Sequence, residues 1–409
     1  MKSVNFIQKV FQEYYAKDFS LGESFPMIES REFGFISFEG WMLRHKSFKD
    51  KEELTHSLRA SAPRDAYFSC AYYENPEAEM EKKGWLGADL IFDIDADHIP
   101  TPCDKVHDEW KCGNCGFVGK GVAPQQCPIC NSEKLDMNTW PCEVCLASAK
   151  TETIKLLDMI LQDFGFSKKE VHVFFSGHRG YHVHVESEAV KMLDAFARKE
   201  IVDYISGLGF DVFFFGGNRK DWRRKRILSN MSINLGWNGR IAREAHDVIL
   251  NAKEEDLTRI GLKKNVAEAL LKNKDAILKN LNDSGTLRAV RGVGSKTWKK
   301  IVEFCAKNQS AKIDTVVTTD IHRLIRLSNT LHGKTGLKKI EIPVADIENF
   351  DPFKSAVAFK KGITTVFVSD APAFRFGNQM FGPYKNQKVE LPIATAVLLV
   401  CKGRAEVAE

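Results

Sequence analysis

The chain lacks any long apolar run: no stretch approaches the roughly 18 residues that a membrane-spanning helix needs, so no membrane association is expected. Its first residues, MKSVNFIQKVFQEYYAKDF, carry charge throughout and contain no continuous apolar segment of the secretory-signal kind, so a cytoplasmic protein is expected. There is no internal repeat and no low-complexity segment, so neither a repeat array nor a disordered tract is expected. Charge of one sign is in small excess only: 59 Lys and Arg against 54 Asp and Glu leave +5 over 409 residues. That balance permits a polyanionic partner without demanding one, because an average hides local patches. What is present, 44% hydrophobic and 28% charged residues, is an ordinary globular composition. The length suits one large domain with insertions, or two domains.

Ten cysteines are not expected to pair as disulfides in a reducing compartment. Seven of them crowd between Cys103 and Cys145, while Cys70, Cys305 and Cys401 are scattered. Cys112-x2-Cys115 and Cys127-x2-Cys130 have zinc-ribbon spacing. Cys103, His107, Cys142 and Cys145 remain as a second quartet. Four protein ligands close a site, so both are read as structural Zn²⁺ rather than catalytic zinc, with an Fe–S cluster as the lesser alternative.

Periodicity gives the frame. Met1 to Phe19 has helical spacing, and EFGFISFEGWMLR (Glu32 to Arg44) alternates like two strands around a turn at Glu39-Gly40. Ala88 to Asp95 reads as a strand and Thr151 to Phe164 as a helix. Val171 to Ser176 and Tyr181 to Glu186 read as strands joined by Gly177 to Gly180. A helix over Ser187 to Leu208, a strand over Phe210 to Phe215, a Lys/Leu/Glu-rich helical region over Asn251 to Asn308 and strand-rich sequence from Ile313 to Val400 complete it. The expected fold is mixed α/β (α+β), with mixed sheets, a zinc-binding insert and an α-helical insert. The expected boundaries are a core of 1–102, 146–250 and 309–409, a zinc insert at 103–145 (a ribbon nested in the second zinc site) and a helical insert at 251–308.

Three constellations carry the chemistry. In Ala-Asp-Leu-Ile-Phe-Asp-Ile-Asp-Ala-Asp-His, strand alternation sends Leu90, Phe92 and Ile94 into the core and Asp89, Asp93, Asp95 and Asp97 to the other face. Same-face carboxylates then lie roughly 6–7 Å apart, close enough to share divalent cations of the kind that phosphoryl transfer uses. A solvated edge strand is the plainer reading of a lone Asp-x-Asp. In VHVFFSGHRGYHVHV (Val171 to Val185), two apolar strands meet at a glycine turn where Ser176, Arg179 and His182 can converge on a triphosphate. His-x-His could instead be a zinc pair, or His184 a satisfied core histidine. In DTVVTTDIHRLIRLSNTLHGKTGL (Asp314 to Leu337), a further carboxylate precedes Arg323, Arg326, His332 and Lys334; taken alone it could be a charged helix face and a turn.

The order Asp-x-Asp, Ser-Gly-x-Arg-Gly-x-His, then Asp followed by Arg and His-Gly-Lys-Thr-Gly resembles the archaeo-eukaryotic primase family. GWLGADLIFDIDADH (Gly84 to His98) and FFSGHRGYHVHV are most similar to its archaeal small subunits, and the likeness runs from near residue 5 to near residue 400. It implies a primase-type catalytic core in which Asp93, Asp95 and Asp314 are the Mg²⁺ or Mn²⁺ ligands. It likewise implies that Ser176, Arg179, His182, Arg326 and His332 hold the nucleotide phosphates, with Arg323 nearby, and that Glu32 and Arg44 line the nucleotide site. The outer quartet resembles the family's structural zinc site. The implied activity is primer synthesis from NTPs or dNTPs on a single-stranded DNA template, by attack of a 3′-hydroxyl on the α-phosphate with two metals, in a heterodimer with a primase large subunit. No side chain is an evident general base. Met42 stands where the eukaryotic pattern has tyrosine and Ser328 where a proline is common, departures that bear on substrate selection.

Two surfaces are candidate nucleic-acid contacts: the basic run Asn218 to Arg226 around Trp222, with Arg240 following, and Val290-Arg-Gly-Val-Gly-Ser-Lys296, which looks like a helix-hairpin-helix turn. A charged turn and a plain glycine linker are the bland alternatives. The basic content of the ribbon is modest (Lys111, Lys120, Lys134). Rival functions are a metal-dependent phosphoesterase or nuclease built on the Asp pair and His-x-His, a non-catalytic zinc-ribbon binding subunit, and a related repair primase-polymerase. Elemental analysis should find two zinc ions per chain; one ion would mean that a quartet is misread.

Overall fold

The computed structural model describes residues 2–22, 25–209, 236–284 and 290–408, excepting the side chains of 104, 105 and 282–284. Contacts divide the chain into two compact units, 1–154 with 168–199 and 313–409, and 155–167 with 200–312.

The first unit opens with the helix Lys2–Lys17, which buries Ile7, Val10, Phe11, Tyr14 and Tyr15. Steps of three and four put these on one stripe, which packs in a cluster with Phe33, Phe35, Phe68, Ile325 and Leu327. Those residues, all but Leu327, which follows Arg326, belong to the first four-stranded sheet, whose order is Leu324–Arg326, Asp65–Ser69, Phe33–Ile36, Met42–Lys46. The second sheet runs Ile340–Ile342, Val171–Phe175, Gly180–Val185, Leu90–Asp95. A third sheet near the C-terminus pairs Ile363–Ala371 with Tyr384–Pro392 and Ala405–Val407, covered by the apolar helix Ile393–Cys401. The zinc insert has its own small sheet of Glu109–Cys112, Val118–Lys120 and Leu135–Asn138. The mixed α/β class is therefore found, but every strand pairing among the described residues is antiparallel, so no sheet is mixed in direction. No helix among the described residues is long and apolar enough to cross a membrane.

Three elements differ from expectation for local reasons. The strand expected over Ala88 to Asp95 is two: Trp85–Ala88 pairs with Ala71–Tyr73, and only Leu90–Asp95 joins the second sheet. The switch occurs at Asp89, whose buried carboxylate pairs with Arg31 and accepts from the Tyr72 hydroxyl, both at 2.7 Å. Asp89 is thus a structural ion-pair partner and leaves the carboxylate face. The helix expected from Thr151 starts earlier, as Glu143–Asp158, and ends in the π-turn Met159–Asp163. The helix expected over Ser187 to Leu208 breaks into Glu188–Lys191 and Ala195–Ser206. There Asp194 Oδ1 accepts from the Ala197 amide at 2.8 Å, a capping contact that starts a new helix.

The second unit is helical and wider than 251–308, because Gly236–Asn251 packs on Ser295–Gln309. Its core holds Ile241, Ala245 and Ile249 with Trp298, Ile301, Val302 and Cys305. Arg240 does not reach a binding surface: it is 1% exposed and paired with Asp158 and Asp163. At Val290 to Lys296 a turn closed by the Val293 amide on the Val290 carbonyl leads into the helix Ser295–Gln309. The strand expected over Phe210 to Phe215 and the basic run Asn218 to Arg226 lie outside the described residues.

The second sheet positions the carboxylates. Gly180 lies opposite Asp95, and a Cβ there would sit 2.2 Å from the Ile94 carbonyl oxygen, so only glycine lets the two strands close. Gly180→Ala should lower stability by about 2 kcal/mol or more, read as a reduced urea midpoint. An unchanged midpoint would mean that the strands do not meet so closely.

Candidate active site and metal centres

Alternation along Leu90–Asp95 buries Phe92 and Ile94 fully and leaves Asp93 and Asp95 half-buried on the opposite face. Asp314, far along the chain, caps the helix Thr315–Thr319, its Oδ1 accepting from the amides of Val316 and Val317 at 2.9 and 3.4 Å. Its own amide donates to the Asp93 carbonyl at 2.8 Å, which delivers the third carboxylate to the strand. Burial, and then the charges of Asp95 and Asp314, push the Asp93 carboxyl up to about 7, against the opposing pull of Arg323 and Lys339. The three carboxylates thus share one electrostatic neighbourhood. Among the described residues only the two cysteine-rich quartets bring three or more donor atoms within 4.8 Å of one another; Asp93, Asp95 and Asp314 do not form such a group. Asp97 turns away from that face and pairs with Arg179.

Across from the carboxylates, His182 lies opposite Asp93 in register, with Nε2 3.6 Å from Asp93 Oδ1. Ser176 ties the glycine turn, its Oγ accepting from the amides of His178 and Gly180 at 3.3 and 3.2 Å. Gly177 has a φ of +87°, and a Cβ there would lie 3.0 Å from that of His332, so the loop bearing His332 rests directly on the turn. The rings of His178 and His332 stack at 5.0 Å. Burial first, then neighbouring cations, holds His178, His182 and His332 well below the ordinary imidazole range, so all three are neutral. His184 is a core histidine, enclosed by the rings of Phe68 and Phe174 beside the Lys339 ammonium.

The arginines divide into two groups. Arg323 is half-buried, has no carboxylate within ion-pair distance among the described residues, and acts on both Asp93 and His182. Arg179 and Arg326, both expected to hold phosphates, are instead enclosed. Arg179 is 0% exposed, with Nη1 2.7 Å from Asp108 and 2.9 Å from Asp97. Arg326 donates to Asp65 at 2.7 Å and to the Leu331 carbonyl at 3.1 Å, while Asp65 also accepts from the Gly333 amide at 2.9 Å. The carboxylates take only Nη1 of Arg179, whose Nε and Nη2 have no hydrogen-bond partner among the described residues, and both arginines tie distant segments together around the site. Glu32 and Arg44 do meet: the buried Glu32 carboxylate accepts from Arg44 Nε at 3.0 Å and pairs with Lys83 at 3.4 Å.

Sequence reasoning missed three residues here. Lys402, 4% exposed, sits 2.7 Å from His178 Nε2, and burial, followed by the charges of Lys334 and Arg179, pushes it down to about 7. Lys339 is fully buried and donates to the Arg326 carbonyl at 2.7 Å. Asp108 joins the metal insert to Arg179. Asp108 and Lys339 stand next to motifs and Lys402 far from any, but none follows an alternation or a ligand spacing that would single it out.

Both expected quartets form. Cys103 Sγ lies 3.5 Å from Cys142 Sγ and 3.2 Å from Cys145 Sγ, and His107 Nε2 lies 3.1 Å from Cys142 Sγ. In the ribbon, Cys112 to Cys130 and Cys115 to Cys127 are 3.5 and 3.6 Å apart. Sulfurs that bind Zn²⁺ at about 2.3 Å stand roughly 3.8 Å from one another, whereas a disulfide needs about 2.05 Å. The donor sets therefore fit zinc, and four protein ligands at each make the sites structural.

Residues 134–344 match the family model described as DNA primase small subunit, and residues 110–136, which hold the ribbon, match a rubrerythrin, rubredoxin-like domain. The chain is similar to the DNA primase small subunit PriS of Nitrosopumilus maritimus, 31% identical over 405 residues that cover 99% of both chains. Its likeness to the protein of the same name in Methanothrix thermoacetophila is 32% over 426 residues, and in Methanoregula boonei 34% over 421 residues, each covering 99% of both chains. Fold, carboxylate strand and these likenesses define an enzyme of the nucleotidyltransferase class, a catalytic primase. The chain belongs to the DNA primase small subunit family, of the archaeal type.

With a folded value of about 7 against roughly 4 in the unfolded chain, Asp93 holds its proton more tightly when folded. Metal-free stability should therefore fall as pH rises from about 4 to about 7, and remain lower above that. Asp93→Asn should be more stable than wild type in urea at pH 8, by on the order of 1 kcal/mol, and lose that advantage below pH 4. A variant less stable at pH 8 would show that the carboxylates do not repel.

Proposed function

We propose that the chain synthesises short primers on single-stranded DNA from nucleoside triphosphates, with Asp93, Asp95 and Asp314 holding Mg²⁺ or Mn²⁺. The observation that carries this reading is the meeting of three carboxylates from distant parts of the chain beside a turn with excess positive charge. Divalent cations held there would relieve the repulsion and supply the charge that stabilises attacking and leaving oxygens. The protein's own groups do the rest. Ser176 and the glycines fix the turn, and His182 and His332 offer neutral imidazole nitrogens to the polyphosphate. Arg323, Lys334 and Lys402 offset its charge, and an arriving phosphate would draw Lys402 fully into its protonated form. Arg179 and Arg326 hold these groups in place. Glu32 orients Arg44 toward the nucleotide. The reaction is in-line attack of a 3′-hydroxyl on the α-phosphate with release of pyrophosphate, and it needs positioning and electrostatics more than a side-chain base.

A large subunit completes the enzyme on this reading, as the designation "small subunit" of the relatives suggests, and the pair works in the cytoplasm. The zinc insert is a separate structural module of the catalytic core. The test is template-dependent synthesis with NTPs and dNTPs, with and without Mn²⁺. Asp93→Ala, Asp95→Ala and Asp314→Ala should each cut synthesis about a hundredfold or more while far-UV circular dichroism stays unchanged. Lys402→Ala should raise the nucleotide KM about tenfold, the worth of one charged hydrogen bond. Wild-type synthesis by any aspartate variant would overturn the reading.

A further inference from the structure

The outer zinc quartet and the carboxylate strand are joined by a chain of polar contacts that no catalytic step requires. His107 turns Nε2 toward Cys142 in the quartet. Its other ring nitrogen, Nδ1, lies 2.7 Å from Asp108 Oδ1. That oxygen also accepts from the Trp140 amide at 2.9 Å, so Asp108 cannot swing away. Asp108 Oδ2 accepts from Arg179 Nη1 at 2.7 Å, and the same Nη1 pairs with Asp97 Oδ1 at 2.9 Å. The Asp97 amide in turn donates to Asp95 Oδ1 at 2.9 Å. Backbone contacts run beside this path: Gly180 pairs with Asp95, and the Ala96 amide donates to the Arg179 carbonyl at 3.2 Å.

The chemistry of each link fixes the next. An imidazole bound to metal through Nε2 must keep its proton on Nδ1, so it donates to Asp108 and sets the direction of that carboxylate. Asp108 then holds one N–H of Arg179, and the fixed guanidinium charge holds the Asp97 carboxylate at 2.9 Å. Burying a guanidinium with two carboxylates brings a desolvation penalty that apolar packing would avoid, so the arrangement is better suited to fixing orientation than to adding stability. The Asp97 amide then holds Oδ1 of Asp95.

We propose that Asp108 and Asp97 are positioning residues through which the outer zinc quartet sets the orientation of the Asp95 carboxylate in the catalytic centre. The proposal rests on the reading of Asp93 and Asp95 as ligands of the catalytic cations. Zinc is, on this view, a distant member of the active site, although it touches no substrate.

The test uses the full-length chain and Mn²⁺, with binding followed by electron paramagnetic resonance in the presence of an NTP. Zinc content and urea midpoint are measured alongside. Asp97→Asn should keep both zinc ions and a wild-type midpoint yet bind Mn²⁺ about tenfold more weakly, the usual effect of losing an outer-sphere partner. Asp108→Asn should weaken Mn²⁺ by a similar factor. The double variant should be little worse than either alone, because both substitutions cut one path. Wild-type Mn²⁺ affinity in either single variant, or a double variant whose loss is the product of the two, overturns the proposal. Asp93→Asn serves as the control. If it binds Mn²⁺ like wild type, the reading of the catalytic centre fails instead.

Discussion

Like charges gathered at low dielectric repel, and the arrangement of the first unit follows from holding three of them together. Asp93 and Asp95 cannot separate because their strand is locked between core residues on one face and the Gly180–Val185 strand along its edge. Asp314 cannot retreat because its backbone is bonded to Asp93 and its side chain caps a helix. The surrounding fold carries the resulting strain in its apolar packing, where zero-exposure residues such as Phe92, Ile94, Val183 and Phe175 leave the strands no room to move.

The cations around this centre fall into two kinds that differ in burial rather than in residue type. Arg31, Arg179 and Arg326 are enclosed with carboxylate partners and act as fasteners between segments distant in sequence. Arg323 is half-buried and Lys334 exposed, and neither has a carboxylate within ion-pair distance among the described residues. Lys402 lies between the two kinds: enclosed like a fastener, but with the His178 imidazole 2.7 Å away and no carboxylate within ion-pair distance among the described residues. Burial makes the charged form of such a group costly, which is why Lys402 is pushed down to about 7.

What was readable in the sequence was what depends on spacing. Alternation revealed the faces of Leu90–Asp95, and Cys-x2-Cys pairs revealed the quartets, because ligand spacing around a tetrahedral ion is nearly fixed. The glycine turn between two apolar strands was readable because few residues permit that backbone. Orientation was not readable. Arg179 stands inside a motif whose residue types suit phosphate, yet its Nη1 is bonded to Asp108 from the zinc insert, a partner that the motif does not announce. Asp89 looks like a member of the acidic row until Arg31 and Tyr72 claim it. Lys402 and Asp65 gain their roles only through tertiary neighbours that no local pattern encodes. Helix breaks such as the one at Asp194 turn on a single capping contact, which periodicity averages away.

The capping of Asp314 reaches further than helix stability. Two backbone amides bond its Oδ1, and the Asp97 amide bonds Asp95 Oδ1. Calcium prefers six to eight oxygens and often takes both from one carboxylate, whereas magnesium and manganese accept single oxygens in a tight octahedron. On the proposed reading of these carboxylates as cation ligands, an oxygen already bonded to the main chain is a poorer second donor, which would favour the smaller ions over calcium.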